Sequence, residues 1–306
     1  MRWGRNVPET SGGPGPTRRI PEGFAEVDPR TAVRVPLWQE LSPDNPLYPG
    51  DPPFTVGVHS SVGTSGFRVE RITSLGTHTG THVSVPAHVI DGGAALNGVG
   101  EGWTLMPLVV VDVRERVAAS GGDFTVGPAA LREIEEAYGP IPDSGCVLLN
   151  TGFSVRYRER GQDRHRDRDR DQRQGQGQDR GQGQDRGKDR DKDRGQGQDR
   201  DQDQDRGDGP DRRYRAPAPG FTADAVAWLF TERRIAAVGS DTFGPDPSSD
   251  PRCTATLTAL ELGGITVENV GPGLSRMRCY GDWVGVNGAR PAFSGFPVGI
   301  TGYTLP

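Results

Sequence analysis

Residues 75–88 read Leu75-Gly76-Thr77-His78-Thr79-Gly80-Thr81-His82-Val83-Ser84-Val85-Pro86-Ala87-His88, and they hold three of the chain's five histidines. Histidine is the side chain most used for proton transfer near neutral pH, and neutral imidazole is a common metal ligand. Gly80 and the run of threonines disfavour a helix, and Pro86 cannot lie inside one. The stretch therefore predicts a strand that runs into a glycine- and threonine-rich turn and carries an acid–base or metal site.

The pattern His-Thr-Gly-Thr-His-Val-x-x-Pro-x-His resembles the signature of the cyclase family, which includes kynurenine formamidases and isatin hydrolases. The family pattern is His-x-Gly-Thr-His-x-Asp-x-Pro-x-His, in which the first two histidines and the aspartate bind metal and the last histidine acts in catalysis. The resemblance implies that His78 and His82 are metal ligands and that His88 is catalytic. Ser84 stands where the family has its aspartate.

Four further segments resemble the family in the same order along the chain. They are Tyr48-Pro49-Gly50-Asp51-Pro52, which the resemblance places in a loop over the active site, and Cys146–Gly152, Val238–Thr242 and Phe296–Gly302. The resemblance implies an α/β fold: one cyclase-like domain, residues 31–306, with a central mixed β-sheet flanked by helices. Family members form dimers or tetramers, so a homodimer or homotetramer is expected.

The family has two more metal ligands late in the chain, a histidine and a glutamate twelve residues after it. Glu268 matches the glutamate, but Thr256 stands at the histidine position. Neutral hydroxyls are poor ligands for a divalent ion, so Ser84 and Thr256 disfavour a binuclear site. We expect either one divalent metal, zinc or manganese, held by His78, His82 and Glu268, or no metal.

Three functions remain open at this stage. The first is a divergent hydrolase or cyclase that acts on an amide, lactam or ester-type bond of a small metabolite, with a metal-bound water. The second is a metal-independent cyclase or dehydratase of secondary metabolism, in which His88 and Glu268 move protons and Ser84 donates a hydrogen bond to a developing oxyanion. The third is a ligand-binding protein without catalysis.

Composition argues against some classes of binding partner and indicates a cellular compartment. The net charge of −5 argues against nucleic acid as a partner, and no apolar run is long enough to cross a membrane. The first residues lack the apolar core of a signal peptide. Three cysteines without metal-binding spacing are typical of reduced thiols. We therefore expect a cytoplasmic enzyme with a small-molecule substrate.

Two segments predict no packed structure. Residues 1–30 are rich in Gly, Pro and Arg and predict a flexible arm. Residues 156–215 predict a disordered insertion, because residues 161–211 contain no aliphatic or aromatic side chain. The hexamer Gly-Gln-Gly-Gln-Asp-Arg recurs there at 175–180, 181–186 and 195–200, which indicates expansion of a surface loop.

Hydrophobic periodicity predicts the remaining elements. Alternation over Phe67–Ile72 predicts a half-buried strand, and continuous apolar runs predict buried strands at Leu105–Val113 and Cys146–Gly152. Helices are expected at Gly127–Ala137, after Thr222 as N-cap, and at Thr254–Leu262, with a strand at Ile265–Val270. His59 is expected to be an exposed strand histidine.

Overall fold

The computed structural model describes residues 20–155, except 29, 46, 49 and 123, and residues 217–305. The predicted insertion at 156–215 and most of the predicted arm at 1–30 lie outside these residues. Residues 20–28 are described, and they pack against the domain. The Phe24 and Tyr280 ring centroids lie 4.7 Å apart, and Trp283 Nε1 donates to the Ala25 carbonyl at 2.9 Å. The packed chain thus begins before the predicted boundary at residue 31.

A nine-stranded mixed sheet forms the centre of the domain. Its strands are β1 Val33–Pro36, β4 His82–Ser84, β5 Leu105–Asp112, β7 Cys146–Asn150, β9 Ala237–Ser240, β10 Ile265–Glu268, β11 Asp282–Asn287, β12 Gly295–Pro297 and β13 Gly299–Thr304. Their order across the sheet is β1-β13-β11-β5-β7-β9-β10-β4-β12. Two separate pairs are β2 Thr55–Ser60 with β3 Val69–Ser74, and β6 Thr125–Val126 with β8 Gly220–Phe221. The four central strands, β5, β7, β9 and β10, run parallel to one another. The strands on either side of this group pair in the antiparallel sense. The predicted α/β class with a central mixed sheet is confirmed.

Helices cover the sheet and give it two hydrophobic cores. The described helices are α1 Val62–Ser65, α2 Arg114–Ser120, α3 Pro128–Tyr138, α4 Ala223–Glu232 and α5 Thr254–Glu261. Alternate residues of β5 enter opposite cores: Val109 packs in the core that holds Leu131 of α3 and Leu229 of α4, and Leu108 packs in the other. Burial on both faces explains the continuous apolar runs of the central strands.

The sequence predicted several elements close to their observed bounds. Helix α4 begins after Thr222, whose hydroxyl accepts a hydrogen bond from the Ala225 N–H at 3.3 Å, as expected for an N-cap. Helix α5 and strands β5, β7 and β10 each lie within the predicted segments. The three cysteines are unpaired. Within the described residues, no helix is long and apolar enough to span a membrane.

Two local predictions were partly wrong. The strand expected at Phe67–Ile72 is observed at Val69–Ser74, as β3, and it pairs with β2, Thr55–Ser60, in a hairpin that is exposed rather than half-buried. The histidine stretch was expected to run from strand to turn, but its turn at 77–80 precedes β4. Gly80 has φ +65°, so the turn is completed before the strand can start.

We predict that Gly239→Ala destabilises the fold. Gly239 lies in β9 beside Val267 of β10, and an added Cβ would stand 1.9 Å from the Val267 carbonyl oxygen, a backbone atom that cannot move alone. Such overpacking costs about 1–3 kcal/mol or more. Chemical denaturation measures the change in the free energy of unfolding. Gly100→Ala is the control, because Gly100 has φ −60° and open space at its Cβ position. Equal stability of both variants would contradict the packing described here.

Candidate active site

The candidate site is built by strand β4, which lies between β10 and β12 and is antiparallel to both. His82 stands directly opposite Glu268, and Ser84 stands opposite Thr266. Side chains of paired residues share a face, and so do residues two apart on one strand. Strand register therefore places these four polar side chains together, while Val83 packs into the hydrophobic core.

Glu268 is the buried centre of this cluster. Its Oε1 accepts hydrogen bonds from the Thr266 hydroxyl at 2.6 Å and from the Ser84 hydroxyl at 3.3 Å. Its Oε2 lies 3.3 Å from His82 Nε2. Burial by itself would raise the pKa of Glu268, but the charge of the His82 imidazole and the Thr266 hydroxyl lower it to about 2. Glu268 is thus held as a carboxylate inside the protein.

His82 is fixed from both sides of its ring. Nδ1–H donates to the Gly80 carbonyl at 2.9 Å, which sets the orientation of the ring. Nε2 faces Glu268 but is not in hydrogen-bonding geometry with it, and it has no other partner among the described residues, so this contact is electrostatic. Burial would lower the pKa of His82, but the Glu268 carboxylate and the Gly80 carbonyl raise it. The two residues thus stabilise each other as a charge pair.

His78 lies next to this pair and is neutral near pH 7. Its Nδ1 is 3.2 Å from the Ser84 hydroxyl oxygen. Burial and the charges of His82 and His88 lower its pKa to about 4. The Ser84 hydroxyl donates its hydrogen bond to Glu268, so its oxygen can accept a hydrogen bond from His78 Nδ1–H. In this tautomer Nε2 of His78 keeps a free lone pair. His78 is therefore suited to accept a proton or to bind a cation.

His88 is the exposed member of the cluster. It ends the 3-10 helix Pro86–His88, and its ring centroid lies 4.2 Å from that of His78, which in turn lies 5.1 Å from that of His82. The three imidazoles thus form a row that leads from the buried Glu268 to the protein surface. The row brings three groups that can carry protons between the buried Glu268 and solvent.

The loop segment at residues 50–53 packs against the histidine stretch. An added Cβ at Gly76 would be 3.0 Å from the Pro52 carbonyl oxygen, so the loop and the histidine stretch are in close contact. Burial raises the pKa of Asp51, and the charges of His82 and His88 partly oppose this shift. Asp51 therefore lies close enough to the histidine cluster for its carboxyl group and the imidazoles to influence each other.

Thr256 lies near Glu268 but has a structural partner. Its hydroxyl donates to Asp246, which also accepts the backbone N–H groups of Ala255 and Thr256 at the start of α5. Oxygens of Asp246, Thr256 and Glu268 all lie within 4 Å of the Cβ position of Gly244. Burial raises the pKa of Asp246 to about 6, and the charge of Glu268 adds to this shift.

The donor set for a metal ion is incomplete as arranged. Within residues 20–155 and 217–305, no group of three or more His, Cys, Asp or Glu side chains has the geometry of a metal site. His82 does have the features of a ligand, with Nδ1–H held by a carbonyl and a buried Nε2 without a hydrogen-bond partner. A cation at His82 would require Glu268 to turn from a charge partner into a ligand.

The structure brings together the residues predicted from the sequence, namely His78, His82, Ser84, His88 and Glu268. Their chemical roles remain predictions. His59 is exposed on β2, as expected. The fifth histidine, His165, belongs to the predicted insertion and lies outside the described residues.

Three residues of the site were missed in the sequence: Thr266, Asp246 and Gly295. Asp51 belongs to the segment that the resemblance placed over the site, but no role was predicted for it. Thr266 could have been found from the sequence, because it lies two residues before Glu268 on a predicted strand and residues two apart on a strand face the same side. Gly295 could not, because its role is steric: an added Cβ would stand 2.7 Å from His78 Cε1.

We predict that Glu268→Gln destabilises the protein most in weakly acidic solution. The folded-state pKa of Glu268 lies below its ordinary 4.5, so its contribution is present above that pH and is lost as the pH falls towards about 2. The pKa of His82 lies above its ordinary 6.5, so its contribution is lost as the pH rises through the folded-state pKa. The pair is therefore strongest between these two ordinary values.

Urea denaturation in the presence of a chelator measures this effect. Glu268→Gln should cost about 3–5 kcal/mol near pH 5.5, as expected for breaking a buried ion pair, and less near pH 9. Thr266→Val is the matched control, since it removes an uncharged hydrogen-bond donor to the same carboxylate and should cost about 1–3 kcal/mol at both pH values. A pH-independent loss for Glu268→Gln would show that His82 is neutral in the folded protein.

Comparison with known proteins identifies relatives of this fold. The family described as "Putative cyclase" matches residues 35–247, which include the histidine cluster and end before Thr256 and Glu268. Isatin hydrolase A from Labrenzia aggregata, bound to benzyl benzoate, has a TM-score of 0.66 and 20% identity over 90% of this chain and 94% of its own.

Two other solved structures share the architecture. An isatin hydrolase bound to the product analogue thioisatinate has a TM-score of 0.66 and 16% identity over 91% of this chain and 94% of its own. A potential metal-dependent hydrolase with cyclase activity has a TM-score of 0.54 and 14% identity over 90% of this chain and 100% of its own. At sequence identities of 20% or less, these solved structures show a common fold alone. The family match covers more than half of the chain, and the chain therefore belongs to the cyclase family.

Proposed function

We propose that this protein is a hydrolase or cyclase that opens or closes an amide, lactam or ester-type bond in a small metabolite. The observation that carries the proposal is the row of three imidazoles between the buried Glu268 carboxylate and solvent. Both directions of the reaction need a proton to be removed from one heteroatom and delivered to another. Isatin is a cyclic amide, and the fold shared with isatin hydrolases supports a carbon–nitrogen bond as the target.

Each residue has a role that follows from its environment. His78, neutral at pH 7 and with its Nδ1 beside Ser84, accepts the proton of the attacking nucleophile at Nε2. His88, exposed at the end of the row, exchanges that proton with solvent or delivers it to the leaving group. The His82–Glu268 pair fixes the position of Ser84, whose hydroxyl contacts both Glu268 and His78.

A zinc or manganese ion, when bound, would be held by His78, His82 and Glu268 and would supply Lewis acidity at the carbonyl under attack. In that form His78 would be a ligand and not the base, and His88 would accept the proton of the nucleophile. Solved structures described as a potential and a predicted metal-dependent hydrolase share the fold, which supports this form of the proposal. A second candidate is a metal-independent cyclase or dehydratase. It is favoured by the contact between Glu268 Oε2 and His82 Nε2, because each residue already neutralises the other's charge.

We predict that His88→Ala lowers turnover by roughly 10²–10⁴, the usual contribution of a positioned acid–base group. The melting temperature should be unchanged, because His88 is exposed. Turnover is measured on isatin and on an N-formyl aromatic amine. His59→Ala is the matched control, since His59 is an exposed histidine on strand β2. Equal turnover of both variants would remove His88 from the mechanism.

Metal content separates the two candidates. Elemental analysis of protein purified without chelator should give about one zinc or manganese per chain if the metal-assisted form is correct, and His78→Ala and His82→Ala should each abolish both metal and activity. Turnover that survives chelation in a metal-free protein supports the metal-independent candidate. Absence of turnover on every amide, lactam and ester tested, with tight binding of one of them, would contradict both and identify a binding protein.

A further inference from the structure

A second cleft lies at the opposite edge of the sheet from the candidate active site. Three segments border it, and each comes shortly before a strand of the parallel group: 99–103 before β5, 234–236 before β9 and 262–264 before β10. Strand β10 begins in the cleft at Ile265 and ends in the active site at Glu268, so about 10 Å of strand separates the two sites. The proposed function makes no use of this cleft.

The cleft has the size and the lining of a site for a small apolar molecule. Its volume is about 320 Å³, which is at the lower end of the range for ligand pockets. Both hydrophobic cores contribute to its wall: Trp103 and Ile265 belong to one, and Phe230 packs against the other. Leu262 also lines the cleft and is 46% exposed. A ligand that fills the cleft would remove this apolar surface from water, which favours binding.

Two aromatic side chains of the wall are held in place by the protein itself. The Arg290 guanidinium lies 4.5 Å from the centroid of the Trp103 ring and donates to both carboxylate oxygens of Glu101, at 2.9 and 3.0 Å. The Phe230 ring packs on the backbone of Gly264, where an added Cβ would overlap the ring. Because these walls are already ordered, a ligand pays less entropy to bind between them.

One polar group in the wall lacks a partner. Trp103 is 4% exposed, and its Nε1–H is buried with no hydrogen-bond acceptor among the described residues. A buried indole N–H usually has a partner, because an unpaired buried donor is destabilising. Trp283, by comparison, donates its Nε1–H to the Ala25 carbonyl at 2.9 Å. A ligand that carries a carbonyl oxygen into the cleft would supply the acceptor that Trp103 lacks.

The charges around the cleft favour a neutral ligand. Arg234 lines the cleft, but its Nε and Nη2 both donate to Asp143, at 2.8 and 2.6 Å. Arg290, behind the Trp103 ring, is paired with Glu101. Both arginines are therefore already neutralised by a carboxylate of the chain. An anionic ligand would lose its hydration in an apolar cleft and would gain little from either arginine.

We propose that this cleft is a binding site for a small neutral molecule that has an apolar ring and one carbonyl oxygen. The ring packs on Phe230, Leu262 and Ile265, and the carbonyl oxygen accepts a hydrogen bond from Trp103 Nε1–H. The site is separate from the histidine cluster, so occupation of the cleft does not depend on the chemistry of the active site.

Fluorine NMR titration of the full-length protein with two matched probes tests the proposal. One probe is 4-fluoroacetophenone, which has a carbonyl oxygen, and the other is 1-ethyl-4-fluorobenzene, which has nearly the same shape without it. Neither has an amide, lactam or ester bond that the active site could open. The parent protein should bind the ketone with a Kd on the order of 1 mM, as expected for so small a ligand. It should bind the ethyl compound about threefold to tenfold more weakly, the usual contribution of one hydrogen bond.

Three variants locate the site. Trp103→Phe keeps an aromatic ring but removes the N–H, so it should bind the two probes equally. Leu262→Asp should weaken binding of both probes at least about tenfold, because it sets a charge against an apolar ligand. Val33→Asp is the matched control: Val33 is 49% exposed on the edge strand β1, and this variant should bind both probes as the parent does. Melting temperatures confirm that the variants are folded.

Several results would overturn the proposal. They are no binding of the ketone by the parent, equal affinity of the parent for the two probes, a preference for the ketone that survives in Trp103→Phe, and unchanged binding in Leu262→Asp. Binding should persist in His88→Ala, and its loss there would place the probes in the active site and also overturn the proposal. If Trp103→Phe fails to fold, the comparison of the two probes on the parent and on Leu262→Asp decides.

Discussion

The antiparallel pairing of β4 with β10 is the constraint on which the site depends. It sets His82 opposite Glu268 and Ser84 opposite Thr266, with the polar side chains on one face and Val83 in the core. A slip of one residue would turn every side chain of β4 to the other face, so the apolar residues fix the register of the polar ones. Hydrophobic burial thereby positions a buried carboxylate against an imidazole at 3.3 Å.

A buried carboxylate loses the stabilisation that water gave to its charge. In this chain two hydroxyls and an imidazole replace that stabilisation. Thr266 and Ser84 donate to one oxygen of Glu268, and His82 faces the other. The same arrangement gives His78 and His82 opposite character. The charge of Glu268 favours protonation of His82, whereas burial and the neighbouring imidazoles keep His78 neutral. Two histidines four residues apart can therefore act as a fixed charge and as a base.

The sequence predicted the composition of the site better than its local geometry. The crowding of His78, His82 and His88, together with the family resemblance that selected Glu268, was sufficient to name the residues that meet. It did not reveal Asp246 or a role for Asp51, because the contacts of these residues with the cluster depend on how their loops fold. Alternation over Phe67–Ile72 correctly indicated a strand. It could not show whether the apolar face is covered by the same chain, and that face is exposed.

Histidine protonation tests the charge pair most directly. Nuclear magnetic resonance of imidazole protons and nitrogens, recorded across the pH range in the presence of a chelator, gives a separate titration for each histidine. We predict that His82 titrates above its ordinary 6.5 and that His78 stays neutral until the pH approaches about 4. In Glu268→Gln the titration of His82 should move to lower pH. Titration of both residues near 6.5, with no response to Glu268→Gln, would contradict the buried pair and the roles derived from it.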